Sequence, residues 1–251
     1  MRRVLLALLL TLLWANSAHA ELLLYVNFEL GAPGGSTYTL GTTEYSAGSD
    51  SVTISAASIN STGAIVGDYG VQHGGFGHNV SVAVSSGDIF DRNTGRAGFW
   101  VEFGGGDDSP LFIAVGSDLQ VETRSNGAVR LRWAGDVIIN TADFGETLPT
   151  NYTQRFVEVK WDRTNNLRAV RISSNSTEGT WRENTSAWSE PAAATAVLLG
   201  TNGAGANMRT DNWLISDDPD ENLYDLRNLE DYGDYGDAPG PRRGLLLGVG
   251  R

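Results

Sequence analysis

Residues 155–172 read RFVEVKWDRTNNLRAVRI, and the fold follows from them. Successive side chains of a strand point to opposite faces. Phe156, Glu158 and Lys160 therefore share one face, and Val157, Val159 and Trp161 the other. The second set is suited to a core while the charged pair stays wet. Residues 162–166, DRTNN, are a polar turn built from types that hydrogen-bond their own backbone. Residues 167–172 return antiparallel, with Leu167, Ala169 and Arg171 alternating against Arg168, Val170 and Ile172. A period of two on both sides of such a turn predicts a hairpin.

The same period extends in both directions. Residues 22–30 (LLLYVNFEL), 51–57 (SVTISAA), 79–84 (NVSVAV) and 96–103 (RAGFWVEF) read as strands on the N-terminal side. So do 110–115 (PLFIAV), 118–123 (DLQVET), 128–133 (AVRLRW) and 136–139. Residues 195–199 and 213–216 complete the set. Turn signals separate these runs at intervals of about 8–12 residues, the spacing of a sandwich or barrel. No long stretch carries a helical stripe. A dozen short strands hide their apolar faces by packing two sheets together, which predicts an all-β, antiparallel jelly-roll β-sandwich.

The chain has 251 residues, a formal net charge of −12, 31 Gly, 7 Pro and no Cys. Without Cys there is no disulfide framework, no thiol nucleophile and no thiolate metal site. The acidic balance excludes phosphate-backbone binding, so no nucleic-acid partner is expected. Residues 1–20 read as a signal peptide: Arg2 and Arg3, an apolar run from Val4 to Trp14, then Ala18-His19-Ala20 as the cleavage site. The run is short of the ~20 residues that span a bilayer, and no later stretch reaches that length. The expected product begins at Glu21, has no transmembrane anchor, and is secreted, periplasmic or on the cell surface, a bacterial envelope being the best fit. Residues 211–237 hold ten acidic side chains against one basic, Arg227. The β pattern stops after Asp218, and 232–239 (YGDYGDAP) repeats Tyr-Gly-Asp. The domain is placed at 21–228 and an acidic tail or linker at 229–251.

Residues 70–103, GVQHGGFGHNVSVAVSSGDIFDRNTGRAGFWVEF, resemble the first half of a laminin-G-like (concanavalin A-like) jelly roll. Gly75, Phe76 and Gly77 resemble that family's turn, and Gly98, Phe99, Trp100 and Val101 its Trp-Val strand. Residues 156–172 resemble the family's paired strands, with Trp161-Asp162 at the turn, and residues 208–216 (MRTDNWLIS) resemble its closing strand. The resemblance covers 22–218. It implies an accessory, adhesive or ligand-binding domain for glycans or proteins, with glycanases and lyases in the wider superfamily. Many members carry an Asp-Gly turn after the strand equivalent to 167–172. Here Ser173, Ser174 and Asn175 follow, so the resemblance does not extend to a ligand or cation role at that turn.

Glycanases need two carboxylates across a sugar bond. Strand residues offer Glu102 alone and Glu158 facing Lys160. A lyase needs a base and arginines for the uronate carboxylate. Gln72-His73 with Arg130 and Arg132 is the nearest collection, and reads better as loop residues and solvent-facing arginines. His73 and His78 read as turn histidines in solvent. Asp218-Pro219-Asp220-Glu221-Asn222 starts like a calcium loop, but Leu223 and Leu229 stand where Gly and Glu are needed. Calcium on a sandwich rim, with Asp217, Asp218 and Asp220 as ligands, is the candidate cofactor, set against a solvated acidic tail. Trp100, Trp161 and Trp213 read as core. Trp181 and Trp188, in the polar stretch 173–191, with Arg182, and Trp133 beside Arg130 and Arg132, are the candidate carbohydrate-binding residues. The chain reads as an exported, non-catalytic binding or adhesion module for a glycan or cell-surface protein. Two alternatives stand beside it: a polysaccharide lyase or glycoside hydrolase, and a domain of a larger surface or pilus-associated assembly.

Overall fold

The computed structural model describes residues 22–31, 37–42, 44–47, 51–55, 57–73, 79–83, 93–106, 108–115, 119–187, 196–199 and 207–229. The signal peptide, most of the acidic tail, the Gly75–Phe76–Gly77 turn, His78 and Trp188 lie outside them.

The described strands form an antiparallel jelly-roll β-sandwich of two sheets. The first runs β15 (Arg182–Asn184), β14 (Leu167–Ser173), β13 (Arg155–Asp162), β8 (Thr94–Phe103), β17 (Met208–Ser216), β1 (Leu22–Val26) and β3 (Tyr45–Ser46). Beside β17 lie β6 (Gly70–His73) and then β5 (Ser58–Asn60). The second runs β12 (Asp136–Asn140), β11 (Val129–Trp133), β10 (Leu119–Thr123), β9 (Ser109–Val115), β16 (Ala196–Leu199), β7 (Asn79–Ala83), β4 (Ser51–Ser55) and β2 (Thr37–Thr39).

The hairpin read from 155–172 is present. Phe156 pairs with Ser173, Glu158 with Arg171 and Asp162 with Leu167. Its turn is an Asx turn: Asp162 Oδ1 accepts from the Thr164 N–H at 2.8 Å, and Asn166 takes φ +51°, a conformation Asn tolerates.

Val157, Val159 and Trp161 point inward with Phe99, Val101 and Phe103, against Phe112, Val121, Val129, Leu131 and Trp133 of the second sheet. Phe99 and Phe112 stack across the sheets at 6.5 Å. Each such side chain contributes about 1.5–3 kcal/mol when removed from water. At one side the sheets are joined: Asn184 Nδ2 on β15 donates to the Ile138 carbonyl on β12 at 3.2 Å.

The outer face of the first sheet is covered rather than wet. Leu22, Tyr25, Trp100, Phe156 and Leu214 form a second cluster beneath Leu223, Tyr224 and Leu226 of a single helical turn, α1 (Leu223–Leu226). The segment after β17 thus folds back on the sheet. Trp100 Nε1 donates to the Arg227 carbonyl at 2.7 Å. Asn212 Nδ2 donates to the same carbonyl at 3.1 Å and to that of Leu229 at 2.9 Å. The Tyr25 hydroxyl also donates to Leu229.

Candidate functional site

The covered face carries an ion layer beside the apolar cluster. Arg96 on β8 is opposite Lys160 on β13, and Glu158 on β13 is opposite Arg171 on β14. Glu158 was expected in water with Lys160 and is instead fully buried. Its Oε1 accepts from Arg96 Nε at 3.1 Å and Nη2 at 2.6 Å, and its Oε2 accepts from Arg171 Nε. Arg171 also binds Glu178 and donates Nη2 to Asn222 Oδ1 at 3.0 Å. Burial pulls the Arg96 guanidinium below its ordinary range, and the adjoining Glu158 carboxylate opposes that shift. A charge leaves water only where paired this fully.

Trp181 lies over this layer. Its ring centroid is 4.8 Å from the Arg96 guanidinium carbon, 4.6 Å from that of Arg171 and 4.7 Å from Lys160 Nζ. Cations are drawn to an indole face by its quadrupole. The contacts fix the ring while leaving it half-buried. Lys160 is further tied to Glu183 at 3.8 Å.

Arg182 does not join Trp181. On β15, Glu183 lies opposite Ala169 of β14 and Arg182 opposite Val170, so neighbours face opposite ways. Trp181 and Glu183 look outward. Arg182 turns to the joined edge, where it pairs with Glu146 and stacks its guanidinium 4.7 Å from the Phe144 ring.

Other sequence candidates move further. Trp133 is 1% exposed, so sugar stacking on it is ruled out. It points into the core because it follows Val129 and Leu131 on the inward register of β11, and the Arg168 guanidinium sits 5.7 Å from its ring. His73, expected in solvent, is 1% exposed and shares a 2.9 Å hydrogen bond with Thr210. The collection of Gln72, His73, Arg130 and Arg132 is dispersed, β6 belonging to the first sheet and β11 to the second. Asp217, Asp218 and Asp220 do not converge: Asp218 Oδ1 accepts from the Asp220 N–H at 2.8 Å, a turn closing on itself. Among the described residues no three His, Asp or Glu side chains gather as a metal site.

Sequence reasoning missed Asp211. Its carboxylate is buried in a bulge of β17, where Oδ2 accepts from the N–H groups of Ile65 at 2.8 Å and Val66 at 3.0 Å. Burial pushes it well above the usual carboxylate range against the pull of these donors. Glu44 is a second buried carboxylate of this kind, accepting from the N–H groups of Phe28 at 2.8 Å and Gly41 at 2.7 Å. Both pin loops to strands.

No protein-family model and no characterised protein sequence matches the chain. Solved structures do share its fold. The chain is similar to the binding domain of botulinum neurotoxin DC in complex with SialylT (TM-score 0.58, 10% identity, 81% of this chain and 49% of that one). It is similar to the receptor binding domain of botulinum neurotoxin C/D mosaic serotype (0.56, 9%, 79% and 48%). It is also similar to Trypanosoma rangeli sialidase (0.53, 13%, 85% and 33%). The chain therefore spans about half the length of the toxin domains and a third of the sialidase.

Proposed function

We propose that the chain is an exported, non-catalytic module that binds a glycan on a laminin-G-like sandwich, with Trp181 as the surface on which a sugar ring stacks. The observation that carries the reading is the half-buried indole held on three cationic side chains at 4.6–4.8 Å. A fixed aromatic face costs little further ordering when the apolar side of a pyranose settles on it. The fold shared with a toxin binding domain solved in complex with SialylT supports a saccharide as the ligand class. Glu102 and Glu158 are committed to ion pairs, with Arg209 at 2.7 Å and with Arg96 and Arg171. That supports binding without turnover, since a general acid must be free to give its proton. Export rests on residues 1–20, and a bacterial envelope or medium is the proposed location.

The test is a glycan array with the purified protein, in calcium and again in EDTA, beside Trp181→Ala. The expected result is saccharide binding that survives EDTA and weakens about tenfold in the variant, a change of about 1.4 kcal/mol. Absence of binding across a broad array, or undiminished binding by the variant, overturns the proposal. Release of reducing ends or unsaturated uronates replaces it with the catalytic alternative.

A further inference from the structure

The outer face of the first sheet carries a second polar surface, at the far end from Trp181. Glu102 on β8 is opposite Arg209 on β17, Arg209 is opposite Gln72 on β6, and Gln72 is opposite Ser58 on β5. The neighbours of these residues, Val101, Phe103, Met208, Val71 and Ile59, enter the core, so the polar row faces outward. Arg96, under Trp181, shares this face of β8 with Glu102 and lies about 20 Å away along the strand. The apolar cluster beneath α1 separates the two ends.

Tyr152 closes the row. Its ring centroid is 4.8 Å from the Arg209 guanidinium carbon, and Arg209 Nη1 is 2.7 Å from Glu102 Oε2. The ring lies against the bare backbone of Gly104, where any Cβ would collide with it. It is nonetheless 38% exposed. Tyr152 takes φ +59°, a region that bulky side chains avoid. The surroundings hold it there. Its N–H donates to the Phe103 carbonyl at 3.1 Å, and Asn151 Oδ1 accepts from the Thr153 hydroxyl at 2.7 Å. Strain that buries a side chain is accounted for by packing. Here the strained residue presents an aromatic ring to solvent, and strain of that kind gathers at ligand sites.

We propose that Tyr152, Arg209, Glu102 and Gln72 form a second subsite, for an uncharged stretch of the glycan, an inference that rests on the glycan-binding reading. A pyranose stacks on Tyr152 as on Trp181. Glu102 and Arg209 cancel in charge, so an ionic group gains little here, and they offer acceptors and donors to sugar hydroxyls. Asn60 Nδ2 donates to Gln72 Oε1 at 3.1 Å, which orients the Gln72 amide with its nitrogen as a further donor. A long saccharide reaches both ends of the face, and its second contact then forms at high effective concentration. A disaccharide reaches one end alone.

The test is affinity electrophoresis of the whole protein through gels carrying starch, dextran, mixed-linkage β-glucan or galactomannan, all uncharged. At least one gel should retard it. In that gel Tyr152→Gly should weaken binding about tenfold, as Trp181→Ala does, and the double variant should run freely. Tyr152→Phe keeps the ring and should keep the binding. Tyr152→Gly also relaxes the backbone, so its melting temperature should stay within about 2 °C of the unsubstituted protein. Loss of binding together with a larger fall in melting temperature makes the ring structural and overturns the subsite. If Trp181→Ala loses binding and Tyr152→Gly does not, the glycan-binding reading stands and this one falls. Retardation in none of the gels, beside a positive glycan array, has the same meaning. Silence in the gels and on the array defeats both.

Discussion

Asn212 donates its side-chain amide to the carbonyl of Leu229, 2.9 Å away, and so fastens the last described segment to the strand it has just left. Asn212 sits in the bulge of β17 at φ +43°, where Asn is tolerated and Ala is strained. Asn212→Ala loses two hydrogen bonds and incurs that strain. It should destabilise the protein by about 1–3 kcal/mol. Asn212→Gly keeps the backbone relaxed and should lose less. Urea unfolding midpoints of the two variants check this ordering, and a Gly variant as weak as Ala contradicts it.

Glu158 predicts the largest loss from one polar side chain. Glu158→Gln removes the carboxylate that both Arg96 and Arg171 pair with in a buried site. Breaking a buried pair from one side costs about 3–5 kcal/mol. Replacing Glu158, Arg96 and Arg171 together by Leu or Met should recover most of that loss, because no buried charge is then left alone. Unfolding free energies of the single and triple variants decide it. A triple variant as unstable as the single one would mean that the ion layer stabilises in its own right.

These two sites mark where the sequence stops being legible. The strands at 155–162 and 167–173 were readable because alternation reports which side chains share a face. Alternation does not report whether that face is covered. Glu158 looked wet because its covers, Trp181, Asn222 and Tyr224, arrive tens of residues later, and a four-residue helix such as Leu223–Leu226 carries no period to read. His73 and Trp133 were misplaced for the related reason that a polar neighbour in sequence need not be a neighbour in space. Trp181 and Arg182 looked like one site because β15 was hidden in a polar stretch, and a strand sends adjacent residues to opposite sides.

The buried carboxyl of Asp211 predicts a pH dependence of definite sign. Burial, with Glu29 adding to it, raises the folded-state pKa well above the ordinary value, although Val66, Ile65 and Asn212 donate to the carboxylate. The folded protein therefore keeps a proton that the unfolded chain releases near pH 4. Stability from this group is full below that pH and is lost as pH rises through the raised folded value. The fall in melting temperature from pH 5 to pH 8 should be smaller in Asp211→Asn than in the unsubstituted protein. Identical slopes by differential scanning calorimetry would remove Asp211 as the cause.

Gly98 ties the ion layer to the apolar cluster. It lies on β8 between Glu158 and Leu214 in register. A Cβ there would meet Phe156 Cζ at 2.7 Å and Glu158 Cγ at 3.3 Å. Neither can retreat easily, since Phe156 is packed edge-on against Trp100 at 5.4 Å and Glu158 is gripped by two arginines. Overpacking of a closed core costs about 1–3 kcal/mol. Gly98→Ala should fall in that range despite the usual gain of Ala over Gly in an unstrained strand. Adding Phe156→Leu should restore part of the loss by opening the space the methyl group needs. Non-additivity of the two substitutions in a double-mutant cycle is the signature of this contact, and strict additivity would place the cost of Gly98→Ala elsewhere.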